Sequence, residues 1–274
     1  MTTGMGFPWG PRKVIYGLLG TITLVVVLEL GLLGLLMALG YETESKDVGD
    51  IFSKAEAVAI YADKKLTTIN ETGTTQNLAP PVIQASVPTL RLYLGRLLVL
   101  QVAIISFVVI LIGLRPSTLL AKLKITNLTI STLVMPIIAV ISCYLVLALY
   151  ISLISKLDIS ILEPTSTVPT EILRDTWAII LAGIGIIVLA PIAEELLYRG
   201  LIFGGLAKWG FWPAATISGV IFSVVHLDIG SLIPFFIIGI VLAWLFWRRG
   251  RLVESIIFHA LFNATSFTLL VTRG

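Results

Sequence analysis

The chain has 274 residues, of which 57% are hydrophobic and 13% charged, with a formal net charge of +3. A soluble domain is nearer half apolar and a quarter charged, so an ordinary soluble fold is excluded and an all-α, polytopic membrane protein is expected. The basic residues gather at the ends of apolar segments; they read as topology signals, which argues against a nucleic-acid partner and for the lipid bilayer.

In chain order, residues 1–13 are a short start carrying Arg12 and Lys13. Residues 14–39 are apolar and exceed the roughly 20 residues a spanning helix needs. A cleaved signal peptide, with Ala38 and Gly40 near a cut, is the rival reading, but its apolar core runs only about 7–15 residues. Glu29, inside this span, is expected to make a structural contact. Residues 41–90 form an extracytoplasmic loop with seven acids and four lysines. Helical spacing over 51–66 predicts a surface helix, and Asn70-Glu71-Thr72 matches a glycosylation sequon that arises often by chance. A second span covers 92–114, with Arg96 expected to snorkel to the near interface. Arg115, Lys122 and Lys124 mark a basic loop, and 128–154 is the third span, with Pro136 inside. The single Cys143 has no partner for an internal disulfide.

The fourth span starts near Trp177 and stays helical in type to about Lys208, too long for a straight crossing, with Pro191 expected to kink it. Gly210-Phe211-Trp212-Pro213 breaks it. The fifth span is expected over 213–227, the sixth over 231–247 and the seventh over 252–271, with three arginines between 248 and 251. The positive-inside rule then sets the N-terminus in the cytoplasm and the C-terminus outside. The expected division is an N-terminal region, 1–176, with three helices and the 41–90 loop, and a four-helix core, 177–271. The expected location is the plasma membrane of a prokaryote.

The chemistry-bearing residues lie in that core. Glu194, Glu195 and Arg199 follow a long apolar run, and paired ionisable groups at membrane depth are costly and usually functional. Glu195 and Arg199 are spaced i, i+4 with the acid N-terminal, the favoured order for a local ion pair. Glu194 points along a neighbouring angle and is left for another task. The chain's two histidines, His226 and His259, lie in other apolar segments. Phe222 shares a helix face with His226, and Asn263 with His259. At 1.5 Å per residue, Glu194 lies roughly 21 Å from Lys208, His226 roughly 20 Å from Pro213, and His259 and Asn263 roughly 10–16 Å from Leu252. These polar groups therefore converge at a similar depth.

Glu-Glu-x-x-x-Arg, then Phe-x-x-x-His, then His-x-x-x-Asn, over roughly 175–271, resembles the CAAX protease and bacteriocin-processing family of intramembrane glutamic endopeptidases. The resemblance implies a protease in which Glu194 and His226 act on a water while His259 and Asn263 form the oxyanion site. Glu195, Arg199 and Phe222 would support them, and Arg199 has a second reading as a binder of a substrate carboxylate. No metal or other cofactor is expected. There is no His-Glu-x-x-His motif, since Leu227 follows His226 and Ala260 follows His259; a zinc site built from Glu194, His226 and His259 ranks below a metal-free mechanism. No Gly-x-Ser-Gly nucleophile is present, and Asp228 has no second aspartate for a dyad. An inactive scaffold of the same fold and a proton-coupled transporter are the competing classes, the latter weakened by the absence of a visible inverted repeat. The expected substrate is a peptide or membrane protein, its prenylation open, as is the oligomeric state.

Overall fold

The computed structural model describes residues 9–38, 67, 71, 87–113, 130–164, 168 and 170–273. The surface helix read over 51–66, the sequon threonine and the basic loop of Arg115, Lys122 and Lys124 lie outside the described residues. Among the described residues every regular element is helical. Lipid offers no partner to a backbone N–H or C=O, so a chain this apolar satisfies its backbone within helices.

The order is α1 (Pro11–Ala38), α2 (Val87–Leu111), α3 (Ile130–Lys156), α4 (Thr176–Trp209), α5 (Phe211–Val224), α6 (Leu232–Arg249) and α7 (Leu252–Arg273). Six contain stretches long and apolar enough to cross a membrane; α5 is the shorter apolar helix. The chain is thus an all-α integral membrane protein. The fifth span differs from the expected 213–227. Its 14 residues give about 21 Å of rise, short of the roughly 30 Å hydrocarbon thickness. It ends at Val224, and the chain turns through Leu227 at φ 54.

Asp175 opens α4 as an N-cap, its side chain accepting from the Ala178 N–H at 2.9 Å. The same carboxylate accepts two hydrogen bonds from Arg91 of α2, at 2.8 and 2.6 Å. Through its 34 residues α4 is no uniform α-helix. It widens into π-helical turns over Ile184–Leu189 and again over Glu195–Phe203. π-turns are rare and concentrate at functional sites. The expected disturbance at Pro191 therefore takes the form of wide turns on either side of it. Every residue from Glu195 to Phe203 is buried, so α4 is the central helix of the molecule.

Around it pack core side chains from the six other described helices, among them Val14, Val108, Val140, Phe222, Leu242 and Phe258. α5 and α6 come close together at two glycines: a Cβ on Gly239 would lie 2.9 Å from the Gly219 Cα. Ser223 Oγ, one residue before the end of α5, donates to the Leu232 carbonyl at 2.6 Å and ties that end to the start of α6. Gly250 ends α6 in the left-handed region, φ 62, with its N–H on the Phe246 carbonyl, a conformation a side chain disfavours.

Two charge pairings were not foreseen. Arg96 does not stand alone at an interface: its Nη1 lies 2.9 Å from Glu29 Oε2, and both side chains are largely buried. A carboxylate from α1 and a guanidinium from α2 thereby offset each other's desolvation. Of the arginines read as topology signals, Arg248 and Arg249 reach the buried carboxylate of Glu254 at 2.8 and 3.0 Å. They lock the α6–α7 turn as well as carrying charge.

Candidate active site

The polar residues of the core come from α4, α5 and α7. Glu195 and Arg199 are fully buried, and Arg199 Nη1 donates to Glu195 Oε1 at 2.9 Å, the pairing that the i, i+4 spacing predicts. Arg199 Nη2 donates to the Gly239 carbonyl of α6 at 3.3 Å. The missing Cβ of Gly239 brings that backbone into reach. The guanidinium also lies over the Phe222 ring, 4.8 Å from its centroid, where the ring's negative face favours a cation.

Glu195 Oε1 has a second partner. His259 Nδ1 lies 3.0 Å from it, 64 residues along the chain. A carboxylate oxygen only accepts, so the hydrogen of this bond sits on Nδ1. The bond holds a proton on Nδ1 and fixes the plane of the ring. His259 Nε2 then faces Glu194 Oε2 at 3.9 Å. That gap exceeds a direct hydrogen bond and matches two groups that share a small oxygen ligand between them. Glu194 keeps 29% of its side chain exposed, and its Oε2 takes no hydrogen bond from the described residues. The adjacent carboxylates have separate surroundings: Glu195 is held through Oε1 between an arginine and a histidine, its Oε2 taking no hydrogen bond from the described residues, while the Glu194 side chain is partly exposed with a buried Oε2.

His226 sits just beyond the end of α5, not within the helix as expected. Its Nδ1 lies 2.6 Å from the Phe222 carbonyl, which again puts the hydrogen on Nδ1 and makes Nε2 the acceptor nitrogen of the neutral ring. Phe222 stands between the two histidines, with centroids 4.8 Å from His226 and 5.8 Å from His259. Phe235 of α6 covers the other side of His226 at 4.3 Å. An aromatic side chain thus spaces the imidazoles and walls the site. Phe222 is buried and touches Arg199 and both histidines, a larger part than helix-face spacing alone suggested.

Asn263 lies one helical turn beyond His259, and its Nδ2 donates to the Ile186 carbonyl of α4 at 2.9 Å. Sequence reasoning missed this acceptor, because a main-chain oxygen carries no residue signature. Pro191, five residues after Ile186, was the available signal. Tyr144 of α3 closes the flank: its ring stacks on Phe262 at 4.7 Å and its hydroxyl donates to the Phe262 carbonyl at 3.0 Å. Among the described residues no group of three His, Cys, Asp or Glu side chains is placed to hold a metal ion.

Residues 176–265 match the family model described as Type II CAAX prenyl endopeptidase Rce1-like. Among curated proteins, the chain is similar to UPF0177 protein YxdF of Lactococcus lactis subsp. lactis (strain IL1403), 37% identical over 93 residues. That match takes in 32% of this chain and 50% of the relative. It is also similar to "Putative membrane peptidase YdiL" of Bacillus subtilis (strain 168), 38% identical over 77 residues, 28% of this chain and 32% of that protein. The chain therefore spans half or less of the length of these relatives. No solved structure matches it. The matched segment holds every residue of the site, from Glu194 to Asn263, and over it the chain is similar to the type II CAAX prenyl endopeptidases.

Proposed function

We propose that the protein is an intramembrane glutamic endopeptidase that hydrolyses a peptide bond in a membrane-associated peptide or membrane protein. The observation that carries this reading is the unequal use of the two glutamates. Glu195 is committed through Oε1 to Arg199 and His259, while Glu194 is partly exposed and its Oε2, without a hydrogen bond among the described residues, lies 3.9 Å from an oriented imidazole nitrogen. The match to a CAAX prenyl endopeptidase model supports the same reading.

In this mechanism Glu194 removes a proton from a water that His226 Nε2 helps to hold. The resulting hydroxide adds to the scissile carbonyl. Asn263 Nδ2 and His259 Nε2 donate to the oxyanion, where positioned donors in a dry site act most strongly. For that role His259 carries a proton on both nitrogens. When the tetrahedral intermediate collapses, the amine takes the proton held by Glu194 and leaves, and the acid product loses its proton. Glu195, Arg199 and Phe222 position these groups without touching the substrate.

The mechanism is metal-free. Zinc in a protein site takes three or four side-chain ligands, and among the described residues Glu194, His226 and His259 are not placed as such a set. Activity is therefore expected to survive exhaustive chelation; stoichiometric zinc, with activity lost on its removal and restored on its return, would reverse the assignment. The functional test compares the membrane peptidomes of cells carrying the wild type and Glu194→Ala. Peptides released only by the wild type identify the substrate, prenylated or not. Identical peptidomes favour a scaffold of the same fold.

A further inference from the structure

The carbonyl held by Asn263 owes its availability to Pro191. In the wide turn of α4 the N–H of Ala190 reaches the Gly185 carbonyl, five residues back. The next N–H in that register belongs to residue 191 and would take the Ile186 carbonyl. Residue 191 is a buried proline, which has no N–H to give. An unpaired carbonyl at membrane depth is costly, and the side chain that satisfies it is Asn263 Nδ2, at 2.9 Å from a helix 77 residues away. A primary amide carries two N–H hydrogens. One is spent on Ile186, which fixes the amide plane; the second is left for a ligand.

We propose that Pro191 is a positioning residue: by withholding its N–H it reserves the Ile186 carbonyl for Asn263 and so orients the remaining Asn263 N–H toward the substrate oxyanion. This rests on the endopeptidase reading above. A proline here does more than bend the helix. It leaves one acceptor unfilled at the place where a remote donor must be held still. The cooperating residues are Pro191, Ile186 and Asn263, and the wide turn over Ile184–Leu189 sets their register.

The test restores the hydrogen. Pro191→Ala supplies an N–H within reach of Ile186 and frees the Asn263 amide to turn. Turnover is counted per folded molecule on a substrate the wild type cleaves. The expected result is a kcat lower by about 10- to 100-fold with KM unchanged. In an Asn263→Ala background Pro191→Ala is expected to cause no further loss, because the device acts only through that amide. The α-hydroxy-acid counterpart of alanine at position 191, an ester linkage with no N–H, is expected to keep wild-type kcat. If Pro191→Ala fails to fold, this ester variant decides alone: full turnover supports the device, and a loss overturns it. Wild-type kcat in Pro191→Ala, or losses that multiply with Asn263→Ala, would overturn the positioning role and leave the endopeptidase reading standing. Undiminished turnover in Asn263→Ala and Glu194→Gln would remove both.

Discussion

At the scale of single residues, the site separates neighbours that look alike. Glu194 and Glu195 are identical in type and adjacent in sequence. One is fully buried against Arg199 and His259, and the other keeps part of its side chain exposed. Changing Glu195 to Gln would leave the fully buried Arg199 without its counter-charge, and breaking a buried pair in this way costs about 3–5 kcal/mol. Glu195→Gln is therefore expected to lower the thermal midpoint strongly, along with folded yield. Arg199→Lys keeps charge but loses the planar fork that serves Glu195 and the Gly239 carbonyl together. Its expected effect is a loss of folded yield at least as large as the loss of turnover, read by size-exclusion profile beside activity. An intact fold with abolished turnover would instead favour Arg199 as the binder of a substrate carboxylate. The Glu195–Arg199 pair was legible in the sequence because it is local to one helix. The Glu195–His259 bond was not, because its partners are 64 residues apart and only packing brings them together.

At the scale of elements, close backbone approach and helix ends do the positioning. Gly219 and Gly239 let α5 and α6 touch, and this contact carries the Gly239 carbonyl to Arg199. A methyl group at Gly239 meets backbone rather than a flexible side-chain end, so Gly239→Ala is expected to destabilise by about 1–3 kcal/mol, measured by thermal unfolding in detergent; an unchanged midpoint would show that the helices part freely. At the head of α4, the Arg91 guanidinium beside Asp175 holds its carboxyl below the ordinary carboxylate range, with the Ala178 N–H adding to the effect. A carboxyl whose folded pKa is depressed stabilises above its unfolded pKa, and that contribution fades as pH falls through the folded one. Asp175→Asn should therefore narrow the stability difference between neutral and acidic pH. Helix existence was readable from apolar length. The short α5 was not: its apolar residues run on past Val224, while the helix stops there and the chain turns at Leu227. The wide turns of α4 leave no composition signal beyond Pro191 itself.

At the scale of the whole molecule, the six other described helices surround α4, with Glu29–Arg96 tying α1 to α2 and Glu254 tying down the α6–α7 turn. The membrane class was legible from composition, since 57% hydrophobic and 13% charged residues depart from soluble averages, and the helical architecture from the length of the apolar runs. Orientation rests on the distribution of arginine and lysine. Arg251→Cys, with Cys143 buried as the native thiol, is expected to resist an impermeant thiol reagent in intact cells and to react once the membrane is opened; labelling from outside would invert the topology.

The central claim is that Glu194 is the base. Glu194→Gln keeps size and removes the negative charge, and loss of a general base typically costs about 10²–10⁴ in turnover. The decisive measurement is turnover per folded molecule of Glu194→Gln on a peptide substrate cleaved by the wild type, with the thermal midpoint recorded on the same sample. The account predicts a loss of at least about 10² at an unchanged midpoint; near wild-type turnover from this variant would contradict it.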